Sequence, residues 1–195
     1  MSIVKHGSVN RQKALSILRA HVKNQNLFRH CLSVEAVMRT LALHFNANQE
    51  KWALAGLLHD ADWEETKDDP SQHTRKTIQW AKDAGFDDKE LFTTILSHNH
   101  AHNGEAEPKN IMEWSLYICD DLTGLIVATT LIMLDRKLSS VTVPAVLKKF
   151  GTRSFASGVD REHISLCTTK LQISLDRFIG LAIRALQDIA PELGL

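Results

Sequence analysis

Apolar residues recur three and four positions apart along almost the whole chain, the spacing that places them on one face of a helix. Ala14, Leu15, Leu18 and Val22 mark a first helix over about 11–22 with Asn10 as its cap. After the polar break Lys23-Asn24-Gln25-Asn26, a longer helix over about 27–44 lines up Leu27, His30, Val34, Val37 and Leu41. A histidine therefore shares an inward stripe. Asn46-Ala47-Asn48 separates this from a third helix over about 49–60, on which Trp52, Ala55, Gly56 and His59 occupy one face. Its apolar run ends directly on His59-Asp60.

A polar connection over 62–69 follows. Asp69-Pro70-Ser71-Gln72 then combines a cap, a first-turn proline and a glutamine three residues after the cap. It predicts a helix that holds His73, Thr77 and Trp80 and stops near Gly85. Another helix starts at Asp87 or Asp88 and carries Leu91, Ile95 and His98, until the run from His98 to Gly104 breaks it. After Pro108 a long helix is predicted to about residue 136, apolar on most sides around Asp120. A connection over 137–143, a short helix over about 144–150, a loop over 151–158 and a last helix over about 160–189 complete the chain. With no strand alternation, internal repeat or glycine-rich phosphate loop, the fold class is all-α.

Charge adds an exclusion. The 23 basic and 23 acidic side chains cancel, so general attraction to nucleic acid or an anionic membrane is not expected. The 195 residues suit a single domain, with the 160–189 helix packed on it. Cys31, Cys119 and Cys167 are distant from one another and sit among apolar or small residues. They read as reduced, buried thiols of a cytoplasmic protein. The N-terminal residues show no leader pattern. The most apolar stretch, 122–134, is bracketed by Asp120, Asp121 and Asp135 at about half the length of a membrane span.

The ten histidines are more informative. His30, His59 and Asp120 come from three separate inward faces, which is how helices assemble a metal site in a bundle core. Asp60, His73, His98, His100, His102 and Asp121 are further candidates. Imidazole nitrogen with carboxylate oxygen suits Mn, Fe, Co, Ni or Zn. Adjacent His59 and Asp60 reach one site only near a helix end, and the apolar pattern ends there. Each residue also has a plain reading: His30 as a satisfied core histidine, His59-Asp60 as a hydrogen-bonded helix terminus, Asp120 as half of a buried ion pair. Spacing leaves both readings open.

The order His30, His59-Asp60, Asp120 resembles the H…HD…D signature of the HD-domain superfamily of metal-dependent phosphohydrolases. The contexts Asn26-Leu-Phe-Arg-His30-Cys-Leu-Ser-Val-Glu35, Leu54-Ala-Gly-Leu-Leu-His-Asp60 and Tyr117-Ile-Cys-Asp-Asp-Leu-Thr-Gly-Leu-Ile-Val-Ala128 sharpen it toward stand-alone bacterial HDIG-type proteins. The resemblance implies a compact HD-like helical bundle. It makes His30 the first ligand, His59 and Asp60 the doublet, and Asp120 the final aspartate with Asp121 as the next choice. His73 and His98 resemble the extra histidines of members that hold a second ion, so one or two divalent transition metals are implied.

The implied activity is hydrolysis of a phosphate ester, nucleotides included, by metal-activated water, with catalytic roles for Asp60 and Asp121. The implied partner is a small phosphorylated substrate, not a membrane or nucleic acid, and the oligomeric state is open. Arg29, Lys148 and Arg153 are the basic side chains considered for phosphate, and Trp63 is the candidate pocket wall. Some relatives carry a lysine shortly after the doublet, whereas Glu64 and Glu65 here repel phosphate unless they are turned away or paired. Two other readings fit the same residues: a noncatalytic regulatory or interaction module, and an HD-type oxygenase with a mixed-valent diiron pair.

Overall fold

In the computed structural model, which describes residues 9–104 and 106–195, every regular element among the described residues is helical. Residues 1–8, part of the stretch read for a leader, lie outside the described residues. The first three helices are Val9–His21 (α1), Gln25–His44 (α2) and Gln49–Leu58 (α3). Asparagine side chains start two of them: Asn24 accepts from the N–H groups of Asn26 and Leu27, and Asn48 from that of Lys51. Asn10 does not cap α1, because the backbone is already helical at Val9.

α2 and α3 lie close together. A methyl group added at Gly56 would sit 2.7 Å from the Val34 carbonyl oxygen and 2.9 Å from the Glu35 nitrogen. Only a glycine admits this approach, and it brings the end of α3 against the middle of α2.

The next elements are Trp63–Thr66 (α4), Arg75–Asp83 (α5), Lys89–Ser97 (α6), His100–Asn103 (α7) and Ile111–Leu131 (α8). The helix expected from Asp69 onward is split into a short 3-10 turn, Pro70–Gln72, and α5, so His73 stands in the junction and not in a first turn. The cause is Asp62. Its buried carboxylate accepts the N–H groups of Thr74 (3.0 Å) and Thr77 (3.1 Å), and Thr74 takes the left-handed conformation (φ 78°) that this requires. Asp88 caps α6, and the His98–Gly104 run holds a further helical turn, α7, where a plain break was expected.

α8 is the central element, burying Met112, Leu116, Cys119, Leu122, Leu125 and Ile126. It ends at Leu131, short of residue 136. Ile132 and Leu134 beyond it are exposed, and a helix that loses its packing surface loses most of its support.

Val143–Phe150 (α9), Arg161–Ser165 (α10), Cys167–Lys170 (α11), Leu175–Asp188 (α12) and Ala190–Leu193 (α13) follow. The continuous helix expected over 160–189 is therefore broken. Gln172 is left-handed (φ 57°) and the Ile173 N–H returns to the Cys167 carbonyl. The break lets α10 pack on α8 while α12 packs chiefly on α2. One straight rod could not follow both surfaces. All three cysteines are free and buried. Among the described residues no helix is long and apolar enough to cross a membrane.

Gly56→Ala should lower the stability of the fold by about 1–3 kcal/mol, because the added methyl meets backbone and not a side chain that can swing away. Urea denaturation measures this, and an unchanged midpoint would contradict the close approach.

Candidate metal centre

Five segments deliver side chains to one point. α2 brings His30 from its second turn, the end of α3 brings His59 and Asp60, the turn before α5 brings His73, the end of α6 brings His98, and the middle of α8 brings Asp120. The doublet works because α3 tightens as it ends. The His59 N–H still bonds Ala55, while the Ala61 N–H bonds Leu58 and the Trp63 N–H bonds Asp60, so neighbouring side chains face the same side.

Asp60 stands at the centre with its two oxygens facing two different groups. Oδ2 lies 3.6 Å from His59 Nε2 and 3.8 Å from His30 Nε2. Oδ1 lies 3.0 Å from His73 Nε2 and 3.5 Å from His98 Nε2. Asp120 Oδ1 closes the first group at 2.8 Å from His30 Nε2 and 3.6 Å from His59 Nε2. Within the groups, His30 and His59 approach to 3.2 Å between Nε2 atoms, and His73 and His98 to 3.0 Å.

The far side of each ring decides what these contacts mean. His59 Nδ1 donates to the Gly56 carbonyl (2.8 Å), His98 Nδ1 to the Ile95 carbonyl (2.7 Å) and His73 Nδ1 to the Asp62 carboxylate (2.6 Å). His30 Nδ1 lies 3.4 Å from the Thr123 hydroxyl. With Nδ1 carrying the proton, the Nε2 lone pairs and the carboxylate oxygens all point inward. Such a set of acceptors repels itself unless protons or a cation stand among them. The donor set thus fits a divalent transition metal. Three overlapping groups of donor atoms are compact enough to hold an ion: His30, His59 and Asp60; His59, His98 and Asp120; Asp60, His73 and His98.

Without a metal, protons take that place. Burial disfavours charge on His59, but Asp60 and Asp120 outweigh it and lift the pKa to about 9. Burial of His73 is likewise outweighed by Asp60 and Asp62, again to about 9. Burial would raise Asp60 and Asp120, yet the surrounding imidazoles hold both below the usual carboxylate range. Burial pushes His98 down, and its charged neighbours His73 and His59 add to the effect against the pull of Asp60. Since the folded values of His59 and His73 exceed the ordinary 6.5, their charge stabilises the metal-free fold. That contribution is complete below the ordinary value and is lost as pH rises through about 9.

The cluster opens into a cavity of about 420 Å³ lined by Trp63, His102, Tyr117, Asp121, Asp160 and His163 besides Asp60, His73, His98 and Asp120. That volume suits a small molecule. The side chains named in advance divide clearly. His30, His59, Asp60, His73, His98 and Asp120 come together, and Trp63 forms part of the wall. Asp121 turns away from the cluster, accepting the Asp160 N–H (2.8 Å) and facing His163. His102 reaches the exposed rim, and His100 joins none of the groups. Arg29 is exposed and borders a separate, mostly apolar hollow with Leu193 and Leu195, while Lys148 and Arg153 are exposed and line neither space.

Glu64 and Glu65 are turned away and paired. Glu64 accepts the N–H groups of Lys23 and Asn24, and Glu65 binds Lys76 and His21. Sequence reasoning missed Asp62, Thr123 and His163. Asp62 had one signal, a carboxylate two residues after the doublet, but nothing in its spacing pointed to a histidine eleven positions on.

A family model described as HD domain matches residues 27–125, just over half of the chain, and this segment contains all six clustered side chains. No curated protein and no solved structure matches. The family match and the His/Asp cluster together support a metal-dependent hydrolase.

Asp62→Asn should weaken metal affinity by about 10–100-fold, because His73 loses the carboxylate that fixes its ring; competition with a chelator reads this, and wild-type affinity would deny the orienting role. At pH 7, metal binding should release about two protons, from His59 and His73, so that affinity climbs toward pH 9 and then levels. Calorimetry in buffers of different ionisation enthalpy gives the proton count, and a value of zero would show that both rings are already neutral.

Proposed function

Since the chain belongs to the HD-domain family, we propose that it hydrolyses small phosphate esters with one or two divalent transition metals. The observation that carries this reading is the Asp60 carboxylate, with one oxygen toward His30 and His59 and the other toward His73 and His98. His30, His59, Asp60 and Asp120 would hold one ion, and Asp60, His73 and His98 a second. Bound there, a divalent ion supplies Lewis-acid chemistry, lowering the pKa of water and polarising a phosphoryl oxygen.

The remaining work falls to the protein. Nδ1 contacts to Gly56, Ile95 and Asp62 keep three ligand rings in one orientation. Trp63 walls the cavity and shields His73, its ring edge-on to the imidazole. Among the described residues no lysine or arginine lines this cavity, so a polyphosphate chain would find no permanently charged side-chain cation along its length. That favours a substrate with a single reacting phosphoryl group, and a nucleoside monophosphate falls within the size range.

Protein stripped with a chelator and reloaded separately with Mn, Fe, Co, Ni or Zn should hydrolyse members of a phosphomonoester, phosphodiester and nucleotide panel. Asp60→Asn should cut the rate by at least the ~100-fold that loss of an outer-shell partner can cost. Absence of metal-dependent turnover on the whole panel would refute the reading, and iron-loaded protein that consumed dioxygen instead would move the function to an oxygenase.

A further inference from the structure

Besides the His/Asp cluster, the same cavity is lined by a second constellation that the family-matched segment contains only in part. Tyr117 and Asp121 lie on α8 within that segment, but His163 lies on α10, well beyond it. His163 Nδ1 is 3.1 Å from Asp121 Oδ2, and its Nε2 is 2.9 Å from the Tyr117 hydroxyl. Asp121 is itself held by the Asp160 N–H, and Asp160 caps α10 through the N–H groups of Glu162 and His163. The three side chains are therefore fixed from both helices. The His163 side chain keeps 27% of its surface exposed, on the wall of the cavity.

We propose, resting on the phosphate-ester reading above, that His163 is the acid that protonates the departing oxygen, with Asp121 as its positioning carboxylate. Among the described residues no lysine or arginine lines the cavity, and His73 and His98 belong to the ligand set. His102 stands at the exposed rim with no carboxylate partner among the described residues. Among the described residues that line the cavity, His163 combines an imidazole, the Asp121 carboxylate behind Nδ1, and an Nε2 that faces the Tyr117 hydroxyl at 2.9 Å, with Asp160 Oδ2 farther off at 3.6 Å.

Asp121 fixes the Nδ1–H and favours the imidazolium, raising the pKa of His163 against the effect of burial. Burial, reinforced by Asp160 and Asp121, keeps the Tyr117 phenol protonated. Its hydroxyl oxygen can then accept from Nε2–H, the place a leaving oxygen would take. In the step itself, a water oxygen bonds to phosphorus as the ester P–O bond breaks. The electron pair leaves on the ester oxygen, which takes the Nε2 proton and departs as an alcohol. The water gives up one proton to solvent, and the neutral imidazole recovers one from solvent.

A general acid matters most when the departing oxygen is strongly basic. The test is to compare an alkyl phosphate, glycerol phosphate, with p-nitrophenyl phosphate, using the full manganese-loaded chain. His163→Gln should lose about 100-fold or more in kcat on the alkyl ester and no more than about tenfold on the nitrophenyl ester, with metal content equal to wild type. Asp121→Asn should show the same dependence on leaving group to a smaller extent. Equal losses on the two esters, or loss of metal from His163→Gln, would overturn the assignment. Should the panel above find another class of ester active, an alkyl and an aryl member of that class are compared in the same way, and only inactivity on the whole panel would instead remove the hydrolase reading beneath the proposal. Should His163→Gln not fold, nitrogen NMR of wild-type protein decides: inorganic phosphate should shift the His163 Nε2 resonance, and an unmoved resonance rejects the proposal.

Discussion

Six side chains that all present acceptor atoms are packed into one small space, and this crowding is the constraint on which the rest of the molecule depends. The fold tolerates it only by surrounding the cluster with groups that hold each acceptor in place. Two of the ligand rings are anchored to carbonyls one turn back in their own helices, Gly56 for His59 and Ile95 for His98. These anchors exist because each histidine sits where a helix is ending, so its ring can turn back on the last full turn. Helix termini, usually the weakest parts of a bundle, are here the parts that set the chemistry.

Asp62 shows how far this constraint reaches into the backbone. A buried carboxylate needs several donors, and it takes the His73 ring together with the N–H groups of Thr74 and Thr77. One residue thus breaks a helix and orients a ligand. The strained left-handed Thr74 is the visible trace of that dual task.

Much of this was legible in the sequence. Helical spacing placed α2 and α3 closely, and the inward stripe that carried Leu27, Val34 and Val37 also carried His30. The asparagine before α3 and the aspartate before α6 were readable as caps, because capping depends on local geometry alone. What local pattern could not supply was tertiary competition. Asp69-Pro70-Ser71-Gln72 has the marks of a helix start, yet the carboxylate of Asp62, seven residues before Asp69, diverts the chain directly after Gln72. The pattern over about 160–189 suggested one long helix, but its two halves pack on different neighbours and part at Gln172. Residues 132–136 kept helical composition without a surface to cover. In the site, the clustered side chains carried a recognisable order, whereas Thr123 and His163 contribute through contacts spanning 93 and 42 positions that no spacing rule encodes.

The sealed thiols carry a consequence for which ions the centre can accept. Cys31 directly follows His30 and Cys119 directly precedes Asp120 in sequence, yet both side chains are fully buried and neither belongs to a donor group. A helix rotated by a single position would have offered sulfur beside nitrogen and oxygen. As built, the centre gives thiophilic ions such as cadmium or cuprous copper no sulfur to hold, and peroxide reaching the cavity finds no exposed thiol there to oxidise.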